Sequence, residues 1–215
     1  MKSPLTERYV RAQLAGERSE ALAIVQEALA SGMSVPAVHL ELIQAAQYEI
    51  GRMWENNLIS IAEEHQGTAI SQLALAVLYD KLPRAARNGK RVLLACVEGE
   101  LHDMGSRIVA DFLEMDGYEV RLLGANVPAK SLADRVTAYA PDLVALSATM
   151  SFHLGALERA VSAIRESEQR AVPILVGGRA FTWATGAAAK LDVQGFAGDP
   201  AELLKEARRL TQAAA

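Results

Sequence analysis

The chain has 215 residues, enough for two compact domains that each bury a core. Hydrophobic residues make up 51% against 22% charged, a globular composition that excludes an intrinsically disordered chain. The formal net charge is −4 and Lys and Arg are scattered, so there is no basic field for nucleic acid and direct DNA binding is not expected.

The opening residues, MKSPLTERYVRAQ, lack the apolar centre of a signal peptide. No run approaches the roughly 18 apolar residues of a membrane span, so a cytoplasmic protein without a membrane partner is expected. From Leu5 to about Leu82 apolar residues recur at three and four positions, as in Ala23, Ile24, Ala28, Leu29 and Leu40, Ile43, Ala46, Ile50, Met53. This half is helical. Breaks near Gly16, at SGMSVP (31–36) and at Glu55-Asn56-Asn57 divide it into four segments of an antiparallel bundle. Asn56 and Asn57 terminate a helix because Asn tolerates the left-handed conformation, and Ser60 with Glu63 reads as a capping box opening the next. Trp54 thus ends one helix while Glu64 and His65 lie in the first turns of its neighbour, which puts all three near one end of the bundle. His39, inside the apolar pattern, reads as structural.

Past the polar linker Pro83 to Lys90 the pattern changes. Short β-rich runs, RVLLACV (91–97), YEVRLL (118–123), DLVALSA (142–148), VPILVGG (172–178) and the weaker VQGFAG (193–198), alternate with amphipathic helices. Five such units imply a parallel sheet with both faces covered. The expected fold class is α/β: a four-helix bundle over residues 1–85, then a Rossmann-like (flavodoxin-like) five-stranded domain over 90–215. Cys96, the only cysteine, lies in the first strand run and reads as a buried thiol. The short Ala-rich end is expected to fray.

Ligands of such sheets bind at the carboxyl ends of the strands. Those ends carry GELHDMG, SATMSFH and GGRAF. His102, in the first of these loops, is placed to ligate a metal through one ring nitrogen while Glu100 holds the other. One histidine does not hold a bare ion, and there is neither an HExxH pair nor paired cysteines. A preformed macrocycle supplying the remaining ligands removes the difficulty.

Gly105 is followed by 41 residues, then Ser147-Ala148-Thr149, then 27 more, then Gly177-Gly178. This resembles the cobalamin-binding signature Asp-x-His-x-x-Gly, Ser-x-Leu or Ser-x-Thr, and Gly-Gly, with Glu100 in place of the usual Asp. The resemblance implies that the benzimidazole tail leaves cobalt and threads into the sheet domain, and that His102 becomes the lower cobalt ligand. Gly105 then lets the tail pass close to the backbone, Ser147 hydrogen-bonds the benzimidazole nitrogen, and Gly177 and Gly178 leave room for the nucleotide. Asp103, Met104 and Thr149 belong to the same cofactor-binding set.

In the bundle, GRMWENNLISIAEEH puts nine residues between Trp54 and Glu64-His65. That spacing resembles the CarH and LitR adenosylcobalamin photoreceptors, which implies that Trp54 caps the adenosyl group, Glu64 contacts its ribose and the cofactor is held between bundle and sheet domain. On the residues alone, without the cobalamin signature, Trp54 reads as an amphipathic helix end, and Glu64 and His65 as ordinary first-turn polar groups. The chain departs from the photoreceptors in two places. No MerR-type DNA-binding domain precedes the bundle, so output is expected through a protein partner. Glu55 stands where those that form a bis-histidine adduct carry His, which leaves water or hydroxide, His65, His153 or Glu55 as the upper ligand after photolysis. His153 lies near the corrin edge or merely starts a helix, and Trp183 covers the nucleotide tail or packs on the sheet.

These residues imply a stand-alone adenosylcobalamin light sensor, not an enzyme, acting in signal transduction and transcription regulation through a partner, with a homo-oligomeric state that changes with light. Two alternatives stand beside it: a corrinoid methyl carrier, loaded with methylcobalamin and serving methyltransferases, and a cobalamin storage or delivery module.

Overall fold

The computed structural model describes residues 3–184 and 186–212; the Ala-rich end at 213–215 lies outside them. The chain divides into two compact units, Met1–Pro83 and Arg84–Ala215.

Among the described residues, four helices make up the first unit: α1 (Pro4–Leu14), α2 (Arg18–Ala30), α3 (35–55) and α4 (Ile61–Leu78). Apolar residues at three- and four-residue spacing give each helix an inward stripe, and Ile24, Val25, Leu42, Ile43, Ile50, Ala74 and Leu78 are buried. Helices α3 and α4 approach closely at Gly67, where a Cβ would come within 2.7 Å of Ile50 Cδ1. The helix stop is the one the sequence signals. Asn57 is left-handed at φ 56, and Ser60 and Glu63 form a reciprocal capping box. One feature departs from the periodic reading: residues Val38–Gln44 of α3 form a π-helical stretch. The fully buried His39 sits in it and its Nδ1 donates to the Val35 carbonyl at 2.9 Å.

The second unit holds one sheet of five parallel strands in the order β2-β1-β3-β4-β5, formed by β1 (Arg91–Val97), β2 (Glu119–Val127), β3 (Leu143–Ser147), β4 (Ile174–Gly177) and β5 (Gly195–Ala197). The connecting helices are α5 (Met104–Met115), α6 (Ala129–Tyr139), α7 (Leu154–Arg165), the short α8 (Ala180–Trp183) and α9 (Pro200–Gln212). Alternate strand residues feed two cores. Leu93, Ala95, Val144, Leu146 and Val176 pack toward α6 and α7, while Val92, Leu94, Leu143, Ala145 and Leu175 pack with Leu113 of α5 and Leu203 of α9. Burial on both faces is why the strands read as continuous apolar runs rather than alternating ones. The strand order reverses direction between β1 and β3, and such a switch point opens a crevice at the strands' carboxyl ends. No helix among the described residues is long and apolar enough to cross a membrane.

Candidate functional site

Strand β1 ends at Val97, and the chain turns through Gly99, whose φ of +83 favours glycine. Asn126 near the end of β2 pins this turn. Its side chain accepts from Gly99 N–H at 2.8 Å and its own N–H donates to the Glu100 carbonyl at 2.9 Å. Nothing in the local pattern near residue 100 points to Asn126, which the topology alone brings there.

The pinned turn delivers Glu100, fully buried, into the crevice between β1 and β3. One carboxylate oxygen accepts from His102 Nδ1 at 2.6 Å and His102 N–H at 2.9 Å. The other accepts from Thr149 N–H at 2.7 Å, Met150 N–H at 3.0 Å and His153 Nδ1 at 2.9 Å. Burial by itself would raise this carboxyl. The hydrogen bonds from His102 and His153 and from the backbone outweigh that and hold it well below the ordinary carboxylate range. Glu100 is therefore a buried anion stabilised by converging N–H donors.

The His102 ring is held on the Nδ1 side and its side chain is 50% exposed. With Nδ1 hydrogen-bonded to a carboxylate, Nε2 is the nitrogen suited to ligation. No group of three or more His, Cys, Asp or Glu side chains that could hold a metal ion occurs among the described residues. A single oriented imidazole suits a metal that arrives inside a macrocycle. Gly105 is exposed, and a Cβ on it would meet nothing within 4 Å. Asp103 is paired with Arg107 at 2.7 Å and Met104 opens α5. Ser147, the last residue of β3, stands in register with Cys96 on one side and Gly177 on the other, so the signature serine and glycine lie in one row across the strand ends. Burial pushes the Cys96 thiol up to about 11, which makes it an inert core group.

The glycine pair also has a cause within the fold itself. A Cβ on Gly177 would come within 2.8 Å of the Ala197 carbonyl oxygen, and one on Gly178, whose φ is +106, would collide with the Ala148 carbonyl. The chain's own backbone is by itself enough to require glycine at both positions. His153 is also more than a helix start, because its ring bridges to Glu100 and meets Phe152 edge-on at 4.4 Å between centroids. Trp183 does not pack on the sheet; it is 71% exposed. Leu101 and Phe152 are similarly exposed, so three large apolar side chains stand on the segments that follow β1, β3 and β4.

Within the bundle, α3 and α4 are joined by residues 56–60, which puts Trp54 and Glu55 at the end of one helix and Glu64 and His65 at the start of the next. Trp54 and Glu55 are exposed. His65 Nδ1 lies 2.5 Å from one Glu64 oxygen and Thr68 Oγ1 lies 2.8 Å from the other.

Comparison with known proteins gives the family and the fold. Residues 90–206 match a B12 binding domain, and residues 5–79 match a second B12 binding domain model. The chain is 32% identical over 160 residues to the HTH-type transcriptional repressor CarH of Myxococcus xanthus, a match taking in 74% of this chain and 52% of CarH, so the chain spans about half the length of that relative. It is 25% identical over 213 residues to the dimethylamine corrinoid protein of Methanosarcina barkeri, across 97% of this chain and 98% of that one. The monomethylamine corrinoid protein of Methanosarcina barkeri has the same fold, with a TM-score of 0.80 at 19% identity over 93% of this chain and 94% of its own.

Proposed function

The chain belongs to the B12 binding domain family, and from that premise we propose that it is a corrinoid carrier, holding cobalamin on His102 and presenting a cobalt-bound methyl group to separate methyltransferase partners. The observation that carries the ligation is the buried Glu100 carboxylate on His102 Nδ1 at 2.6 Å. Bound cobalamin supplies the cobalt–carbon bond on which a methyl group travels. The protein's residues supply the rest. Glu100 fixes the His102 tautomer, and the Thr149 and Met150 N–H groups hold Glu100 itself. Gly105 leaves the tail a path, Ser147 offers a hydroxyl at the strand end, and Leu101, Phe152 and Trp183 offer apolar surface for the corrin rim.

The order of readings differs here from the one the sequence implies, where the light sensor comes first. The corrinoid relative aligns with this chain from end to end, whereas CarH is matched over half its length. A second reading, an adenosylcobalamin light sensor, is favoured by Trp54, Glu64 and His65 at one end of the bundle and by the higher identity to CarH.

The two readings separate when the protein is loaded in darkness with methylcobalamin or adenosylcobalamin, passed through gel filtration and illuminated. A carrier retains the methyl form at least as firmly as the adenosyl form and keeps its mass in light. Preference for the adenosyl form with a light-driven change of mass gives the sensor. A cofactor that remains on its own benzimidazole overturns both.

A further inference from the structure

Three arginines converge on one tyrosine at the end of the sheet remote from Glu100. Tyr139 closes α6 with its side chain buried, and the guanidinium carbons of Arg121, Arg91 and Arg135 lie 4.0, 5.3 and 6.0 Å from its ring centroid. Arg91 is the first residue of β1 and stands in register with Glu119, while Arg121 lies two residues further along β2 on the same face. Arg135 comes from α6, one turn before Tyr139. Strand β1 runs from Arg91 toward the Glu100 loop, so its length of roughly 20 Å separates this cluster from the cofactor site.

The ring and the fold account for only part of this charge. Arg91 donates to the Tyr139 carbonyl at 2.8 Å, which answers the partly negative end of α6. Arg121 and Arg135 meet the ring and, among the described residues, no carboxylate. Arginines elsewhere in this unit do: Arg107, Arg165 and Arg209 sit on Asp103, Asp192 and Glu206 at 2.7, 3.0 and 2.6 Å. Beside the cluster, Glu119 accepts from the Tyr139 hydroxyl at 2.9 Å, and Asp142 accepts from the Arg91 N–H and pairs with Lys90. An aromatic ring attracts cations weakly and has two faces, whereas three guanidiniums gathered around it repel one another. Stacking on a face also leaves the in-plane N–H donors of a guanidinium open to a ligand.

We propose that Arg91, Arg121 and Arg135 bind a phosphate group, free or carried on a nucleotide, at the amino ends of β1 and β2. Three guanidiniums set against Glu119 leave an excess of positive charge that a phosphate, with its charge of about −2, offsets. Its tetrahedral oxygens also accept from planar guanidinium forks on two strands and a helix at once. This site is independent of the cobalamin reading and holds whether the chain is a carrier or a sensor.

The test follows the arginine side-chain N–H signals of the full chain by NMR as inorganic phosphate, pyrophosphate or ATP is added, with sodium chloride holding the ionic strength constant. In the wild type the Arg121 and Arg135 signals shift and saturate at about millimolar anion or below. Arg121→Gln and Arg135→Gln each weaken binding about tenfold, the scale of one charge-assisted hydrogen bond, and Arg121→Lys, which keeps the charge without the fork, weakens it less. Arg18→Gln, in the bundle, leaves it unchanged. Equal affinity for pyrophosphate and ATP supports a site for the phosphate itself, and tighter binding of ATP supports one for a nucleotide. Shifts that never saturate, an affinity untouched by both glutamine variants, or binding of a glutamate-rich peptide but of none of the three anions overturns the proposal. Cobalamin uptake, followed separately by absorbance, bears only on the carrier reading.

Discussion

The Glu100 carboxylate meets His102 Nδ1 at 2.6 Å from the position where the cobalamin signature carries the shorter aspartate. The other oxygen accepts from Thr149 N–H, Met150 N–H and His153 Nδ1. A single side chain thereby ties the loops after β1 and β3, the neighbouring strands at which the sheet order reverses.

That tie is expected to govern stability. Glu100→Asp, too short to serve both loops at once, leaves buried N–H groups without an acceptor and costs about 2 kcal/mol. Glu100→Ala removes every contact and costs about 3 kcal/mol or more. Urea unfolding of the cofactor-free protein measures both. If Glu100→Asp were as stable as the wild type, the reach to the β3 loop would contribute nothing.

His102→Ala should behave in the opposite way. The side chain is half exposed and the other donors to Glu100 remain, so its loss costs about 1–2 kcal/mol in unfolding, less than Glu100→Ala. The effect falls on ligation: with isotope-labelled histidine, the axial nitrogen splitting of the reduced cobalt changes in the wild type and is absent from the variant. A histidine signal that persisted in His102→Ala would assign the lower ligand to another residue.

Much of this was legible beforehand because the relevant forces are local. Continuous apolar runs mark strands buried on both faces, and amphipathic helices such as α6 lie between them as the alternation implies. Strand β2 runs on to Val127, beyond the expected 118–123, because it lies at the sheet edge, where partly buried residues such as Gly124 and exposed ones such as Asn126 leave no apolar pattern. The π-helical stretch of α3 carries no periodic signal of its own. The pairing of Glu100 with His153 spans 53 residues and arises only when β1 and β3 pair. The buried Gln13, whose Nε2 donates to the Gly67 carbonyl and to Ser71 Oγ, is likewise hidden, since it sits in a helix whose apolar spacing is complete without it.

Tyr9 gives the bundle a pH dependence of definite sign. Burial raises its phenol from an ordinary value near 10 to about 12, against a smaller lowering by Ser71. Between those values the unfolded chain releases a proton that the folded chain keeps, so this contribution is complete below pH 10 and is lost as pH rises toward about 12. The loss is at most ~3 kcal/mol. Tyr9→Phe has no such proton, so the stability difference between wild type and variant should shrink across that interval. A difference constant from pH 9 to 12, by denaturant melts, would show that the phenol titrates normally.

The three signature glycines should separate cleanly, because their surroundings differ. A methyl group at Gly178 meets the Ala148 carbonyl on a backbone with φ of +106, so Gly178→Ala is expected to cost about 2–3 kcal/mol before any cofactor is added. Gly177→Ala faces the Ala197 carbonyl at 2.8 Å and should also destabilise the cofactor-free fold. Gly105→Ala, with nothing within 4 Å, should leave the melting curve of the cofactor-free protein nearly unchanged, aside from a small gain or loss of helix propensity in the first turn of α5. If the nucleotide tail passes there, the same methyl group occupies its path, and uptake of cobalamin, titrated by absorbance, should weaken about tenfold or more. Undiminished uptake by a well-folded Gly105→Ala protein would move the tail away from α5 and reduce the signature's first glycine to a matter of local backbone preference.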